Sequence, residues 1–381
     1  MHEKSKFATF LQLSSRRDLI LSAVLLAVCA GLYFVNILPA PPSAGSKEKA
    51  QVLTTDNSDV RDYGILRQGS QRLTVKILSG RFKGEVFPAV NEVRAQMELD
   101  KIFVSGDIVL VGILPDAVPG ETVINAQDHY RLGYTAILFG IFALLLICFG
   151  GFVGFNALLS FVFSCLMIWK VVIPYALRGI EPVSLVFAVV MILSTVIILL
   201  VAGLSKKGFA ALSGTFFGVG TSAIMALIFT KLFQMNGATM PYSQSLLFSG
   251  YEFLSLPSIY VGAIFLSASG AVMDLAMDVA SGIDEIHRRR PELNRKQLLI
   301  SGVRIGRSVV GTMTTTLLLA YSGGYLTLLM VFAAQGISPL DFLNNPLVAS
   351  ETVKTLIGSF GLVLVAPFTA LSGALIFGVR K

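Results

Sequence analysis

The chain has 381 residues, 54% of them hydrophobic and 14% charged, with mean hydropathy +0.74 and formal net charge +7. Soluble domains carry about 25% charged residues, so this composition excludes a soluble globular protein and points to a polytopic membrane protein. The positive excess is no nucleic-acid footprint: eleven of the thirty Lys and Arg lie among twelve acids between Ala40 and Arg131, and the other nineteen sit in or beside apolar segments.

Residues 1–18 form a short basic tail with Lys4, Lys6, Arg16 and Arg17, expected in the cytoplasm. Residues 19–38 are apolar and long enough to cross a ~30 Å hydrocarbon core at ~1.5 Å per residue. A cleaved signal peptide is the alternative, but its apolar core is normally shorter, and Leu38-Pro-Ala-Pro-Pro42 offers no small-x-small cleavage site.

Ala40 to Gln51 reads as a linker, and the polar region of residues 39–131 contains it. Period-two runs follow, with Leu73, Val75 and Ile77 in one, and Ile108, Leu110 and then Val111-Gly-Ile113 in another. Turn signals at Ser79-Gly80, Lys83-Gly84, Ser105-Gly106-Asp107 and Pro119-Gly120 separate them. Four to six short strands predict a small all-β barrel, OB-like or SH3-like. It has no aromatic cluster or basic stripe, so it reads as a spacer or a protein-binding module.

From Leu132 to Lys381 the chain is almost entirely apolar. Candidate spans are 132–149, 155–173, 183–203, 209–230, 256–280, 309–332 and 353–378. With the anchor they make about eight transmembrane helices, seven of them in the 132–381 membrane domain. If the N-terminus is inside, fifteen of the nineteen basic residues fall on the inner side, leaving Lys170, Arg178, Lys231 and Lys354 outside. That asymmetry supports the count, puts both termini in the cytoplasm and places the β domain, between helices 1 and 2, outside.

Cys29, Cys148 and Cys165 all lie in apolar runs, and His2, His129 and His287 are far apart. Neither a disulfide framework nor a metal-ligand spacing results, so no metal or cofactor is expected. Gly214-Thr-Phe-Phe-Gly218 is a small-xxx-small pattern that marks close helix packing. Pro367, inside the last span, can kink it.

The most informative stretch runs from Ser267 to Gly324. On its first arm Ser267, Gly270, Asp274, Asp278, Ser281 and Glu285 recur at steps of three or four, which places them on one helix face. On the second arm Ser301, Arg304, Ser308, Thr312 and Thr315 do the same, and Arg307, Thr316 and Tyr321 complete a candidate ion or substrate path. Val272, Leu275, Val279, Ile283 and Ile286 form the opposite, apolar face of the first arm. Leu299, Val303, Val310, Met313 and Leu317 form that of the second. Ser267, Ser269 and Gly270 are candidates to break the first arm, while Gly311, Gly323 and Gly324 are expected to pack closely or to hinge.

Charges inside spans cost about 2.5–3.5 kcal/mol each at the bilayer centre and are functional candidates by default. Counted inward from Leu256, Asp274 lies about 27 Å deep at ~1.5 Å per residue, near the inner interface. One account is an ion-paired base that anchors the hairpin. The other is an inner gate whose carboxylates bind a cation or proton, with Arg304 or Arg307 as competing counter-charge. Intramembrane aspartyl proteolysis needs carboxylates facing each other from different elements. Asp274 and Asp278 lie one turn apart on a single helix, and no nucleophile triad or phosphate loop is present, so no enzyme is expected.

The hairpin text resembles the YibE/F-like family of bacterial membrane proteins. The resemblance rests on Gly270-Ala-Val-Met-Asp274, Asp278 with Ser281, Ser301-Gly302, Ile305-Gly306-Arg307, Gly311-Thr312-Met313, Thr316-Leu317 and Leu319-Ala-Tyr-Ser-Gly-Gly324. It extends loosely from about Gln71 to the C-terminus. It implies the long form of the family, with an extracytoplasmic domain, and as partner a shorter paralogous member or a second copy of the chain. It implies no substrate. Two functions are therefore expected: a secondary transporter or permease subunit in the bacterial cell membrane, or a non-transporting scaffold whose β domain binds an envelope partner.

Overall fold

A computed structural model describes residues 16–35 and 45–378. The tail with Lys4 and Lys6, the start of the linker, and Arg380 and Lys381 lie outside the described residues, as do the readings that fall on them. The chain divides into two compact units, Leu38–Leu145 and Met1–Ile37 with Leu146–Lys381.

The first unit is a barrel of β1 (Ser46–Asp56), β2 (Val60–Tyr63), β3 (Leu66–Ile77), β4 (Val86–Arg94), β5 (Ile108–Ile113) and β6 (Ile124–His129). Strand β1 pairs with both β5 and β3, and its register shifts between Val52 and Thr54. The bulge lets one strand bend across both partners and close the ring β1-β3-β4-β6-β5. All pairs are antiparallel except β4 with β6. Five strands in a closed Greek-key ring correspond to the OB-like member of the two expected barrels.

Two expectations need correction here. Ser46–Gln51, read as linker, is the first half of β1, because its backbone pairs with β5 across more than fifty residues of intervening sequence. In β5 the buried residues are Val109, Val111 and Ile113, so Ile108 and Leu110 take the other face. The run IVLVGI is apolar in both phases, and only pairing with β1 and β6 selects one.

Helix α1 (Arg16–Phe34) belongs to the second unit, α2 (Leu132–Met167) starts in the first and enters the second at Leu146, and a π-helical turn at Ile168–Val172 and α3 (Ile173–Leu177) follow. Then come α4 (Pro182–Ala202), α5 (Lys206–Leu232), α6 (Ser243–Phe248), α7 (Leu256–Arg289) and α8 (Arg295–Gly324). Last are α9 (Leu326–Ala334), α10 (Pro339–Asn344) and α11 (Pro346–Phe377). Among the described residues, five segments are long and apolar enough to cross a membrane, and a sixth qualifies if α8 and α9, bent by 66°, count as one. The two spans expected at 132–149 and 155–173 belong to one 46-residue run, broken at Gly151 (φ 55°, ψ −131°). The chain turns sharply there, since a Cβ on Gly154 would strike the carbonyl oxygen of Leu146. In a straight helix those residues would stand about 12 Å apart.

Local sequence explains the ends of the central helices. The side chain of Ser255 accepts from Ser258 N–H to start α7, and His287, Arg288 and Arg289 fill its last turn, where cations complement the helix dipole. A capping box of Asn294 and Gln297 starts α8. Helix α7 is the core of the unit: Val272, Leu275, Val279 and Ile283 have no exposure, and α4, α5, α8 and α11 pack around it.

Small residues set those contacts. A Cβ on Gly214 would strike Thr369, and one on Gly218 would press on Val272 and Val365, so the expected packing motif seats α5 on α11. Gly302 and Gly306 of α8 play the same part against Ala370 and Ala366 of α11. Their spacing is also small-xxx-small, a signal the sequence reading left within the family resemblance.

Candidate functional site

The α7–α8 hairpin carries most of the candidate residues. Gly282 packs on Ile305, Gly302 on Ile283 and Gly306 on Val279, which fixes residues 279–283 beside residues 302–306. Asp278 therefore lies in the same layer as Arg304 and Arg307. Asp274, Asp278, Arg304 and Arg307 are all exposed, and among the described residues none makes an ion pair with a side chain of this chain. The ion pairs on the hairpin lie nearer the loop, Arg288–Asp284 at 2.8 Å and Arg289–Glu285 at 2.6 Å. The four charges thus stand together in level but unpaired.

The rest of the stripe shares that exposure. Ser267, Gly270, Arg304, Ser308, Gly311, Thr312, Thr315 and Thr316 are exposed, and Ser281 and Ser301 are half-buried. The hydroxyls of α8 donate to their own helix: Ser308 to Ile305 O at 2.7 Å, Thr312 to Val309 O at 2.9 Å and Thr315 to Gly311 O at 3.1 Å. Thr316 donates to Thr312 O at 3.0 Å. With each hydroxyl hydrogen engaged, the oxygens present only lone pairs outward. A surface of acceptors suits cations and water.

Several expected hinge and packing positions turn out otherwise. Helix α7 runs unbroken through Ser267 and Gly270, and Ser269 is buried with its hydroxyl on Leu266 O, so the first arm has no break there. Among the described residues, a Cβ on Gly270, Gly311, Gly323 or Gly324 would meet nothing within 4 Å, so no close packing contact forms there. A bend of 66° between α8 and α9 falls just after Gly323-Gly324, where a hinge was one of the two expectations. Pro367 sits inside α11 and is exposed. It leaves the Val363 carbonyl without its helical donor.

At the other end of the stripe Ser267 Oγ and Tyr321 Oη are 2.7 Å apart. That contact leads to a cluster the sequence reading missed. Glu351 and Lys354 of α11 pair at 2.6 Å, with side chains only 14% and 17% exposed. The Lys354 ammonium lies 5.7 Å from the ring centre of Tyr260 and 5.9 Å from that of Tyr325. The hydroxyl of Tyr260 donates to Ser350 O at 2.7 Å, and that of Tyr325 to Glu351. Placing the start of the last span at Val353 put Lys354 at a helix end. Asn345 caps α11 eight residues before Val353, which carries both charges into the helix.

The family model for YibE/F-like proteins matches residues 138–379. The chain belongs to the YibE/F-like family. The match takes in the α7–α8 hairpin and the Glu351–Lys354 cluster and leaves out the barrel, so the looser resemblance from Gln71 shortens to this range. No curated protein and no solved structure matches the chain.

Proposed function

We propose that this YibE/F-like chain is a membrane transporter or permease subunit, and that its transport involves a cation or proton passing along the polar face of α7 and α8. One observation carries the reading. Helix α7 buries its apolar face in the core while Asp274 and Asp278 on its other face stay exposed among the described residues. Charges left against lipid cost about 2.5–3.5 kcal/mol each at mid-bilayer, so that face meets water or a polar partner. The outward lone pairs of Ser308, Thr312, Thr315 and Thr316 add a lining that suits a cation.

In this reading Asp274 and Asp278 take up the cation or proton, and Arg304 and Arg307 compete with it. The protein crosses a bacterial cell membrane about eight times, with both termini in the cytoplasm and the barrel outside, as the distribution of basic residues supports. A second copy or a shorter family member completes the assembly.

The test is flux in proteoliposomes, read by an entrapped pH dye and an entrapped Na⁺ indicator under an imposed membrane potential. Asp278→Asn should abolish the flux of the wild-type protein with expression and assembly intact. Unchanged flux overturns the proposal and favours a scaffold whose barrel binds an envelope partner.

A further inference from the structure

A half-open cavity of about 230 Å³ lies beside the Glu351–Lys354 pair, between the α8–α9 bend and the start of α11. Its walls are mainly apolar, with Leu328, Phe342 and Leu343 among them, and Tyr321, Tyr325 and Glu351 give it polar groups. Glu351 is the one charged side chain in its lining. We infer that this cavity binds a small organic ammonium with an apolar body, which competes with the Lys354 side chain for the Glu351 carboxylate.

The chain itself shows that the surroundings hold an ammonium. Lys354 Nζ sits 2.6 Å from Glu351 Oε1, and the rings of Tyr260 and Tyr325 lie within 6 Å of it. A carboxylate flanked by tyrosine faces is the chemistry that recognises ammonium groups. Lys354 is absent from the cavity lining, so an ammonium arriving through the cavity reaches the same carboxylate from another side. A carboxylate has about four lone-pair sites, enough for a second donor to bind while the first loosens.

The lining also sets the ligand class. A negative group as the charge in the lining disfavours anions, and its mainly apolar walls favour a cation that carries an apolar body. The volume is below the ~300–1,000 Å³ of drug-sized sites, which limits the body to about one ring. The inference does not rest on the transport reading, because binding is measured at equilibrium.

The experiment is calorimetric titration of the full-length protein in phosphatidylcholine nanodiscs with phenethylammonium, 2-phenylethanol and phenylacetate. Phenethylammonium should bind, and the neutral and anionic analogues should bind at least about tenfold more weakly, the factor expected for loss of a charge-assisted contact. Lys354→Met removes the internal competitor and should tighten phenethylammonium binding about tenfold. Leu328→Trp fills the cavity without touching the ion pair and should abolish binding, which keeps the test decisive if Lys354→Met fails to fold. Equal binding of 2-phenylethanol, or undiminished binding to Leu328→Trp, overturns the inference. Adding phosphatidylethanolamine to the nanodiscs separates two sources of the ammonium. Competition assigns the site to a lipid headgroup, and no competition assigns it to a free amine.

Discussion

The barrel and the α7–α8 hairpin treat polar groups in opposite ways. In the barrel, buried Gln71 donates to Asn57 Oδ1 and Phe103 O and accepts from Asn91 and the Phe103 N–H. Some of the barrel's surface charges pair, Arg72 with Asp59 at 2.6 Å and Arg67 with Asp62 at 2.9 Å. In the hairpin the apolar residues are buried and the charges Asp274, Asp278, Arg304 and Arg307 are exposed and unpaired. An exposed charge costs little in water and several kcal/mol in hydrocarbon. The same exposure is therefore ordinary on a domain with a mixed charged surface and informative on an apolar helix. Among the described residues, no side chain pairs with the four charges of the hairpin face.

Substitutions can sharpen that contrast, and the largest effect belongs to the seam behind the face. Gly306→Leu forces a side chain into Ala366 and Val279, and overpacking of this kind sits at the upper end of about 1–3 kcal/mol. It should deplete folded protein in size-exclusion profiles. Gly311→Leu, on the open face, should leave the profile unchanged. Equal damage from both would show that the open face is packed against a partner.

Next in size is Gln71→Leu in the barrel, which strands the buried Phe103 N–H at a cost of about 2 kcal/mol. Hydrogen exchange of β3 and β4 in the full-length protein should accelerate, and unchanged protection would mean that another acceptor replaces Gln71. Asp274→Asn comes third and should shift thermal stability by less than about 0.5 kcal/mol, because no ion pair is lost. A large loss would reveal a cationic partner for Asp274 from outside the chain.

The smallest effect is a pH dependence in the barrel. Burial pushes the Asp128 carboxyl up, but hydrogen bonds from Arg131 and the His129 N–H, with the charges of Lys101 and Arg131, hold it below the usual range. Its contribution is thus present at neutral pH and lost as pH falls through and below the usual aspartate range. The protection of β6 amides, taken relative to the intrinsic exchange rate at each pH, should fall slightly toward pH 3 in the wild-type protein, and Asp128→Asn should remove that slope.

Much of the candidate site was legible in the sequence because helix periodicity sorts faces without tertiary information. The stripe from Ser267 through Asp278 and the buried set Val272, Leu275, Val279 and Ile283 separate as spacing alone requires. The glycines at 270 and 311 were misread because a small residue on a helix face looks alike whether a neighbour or open space adjoins it. The Glu351–Lys354 cluster was not legible, since the Tyr260–Ser350 contact that helps build it joins residues 90 apart.

Sequence by itself determined that this is a membrane protein with a small β domain and a charged helical hairpin, because composition, period and turn residues act locally. Tertiary structure alone decided which phase of β5 faces the barrel core, and that α11 brings an ion pair among tyrosines from other helices. The physical reason is the same in each case. Where both faces of a segment are apolar, or a charge can be solvated or buried equally well in principle, local pattern is degenerate. Only the packing partner removes the degeneracy.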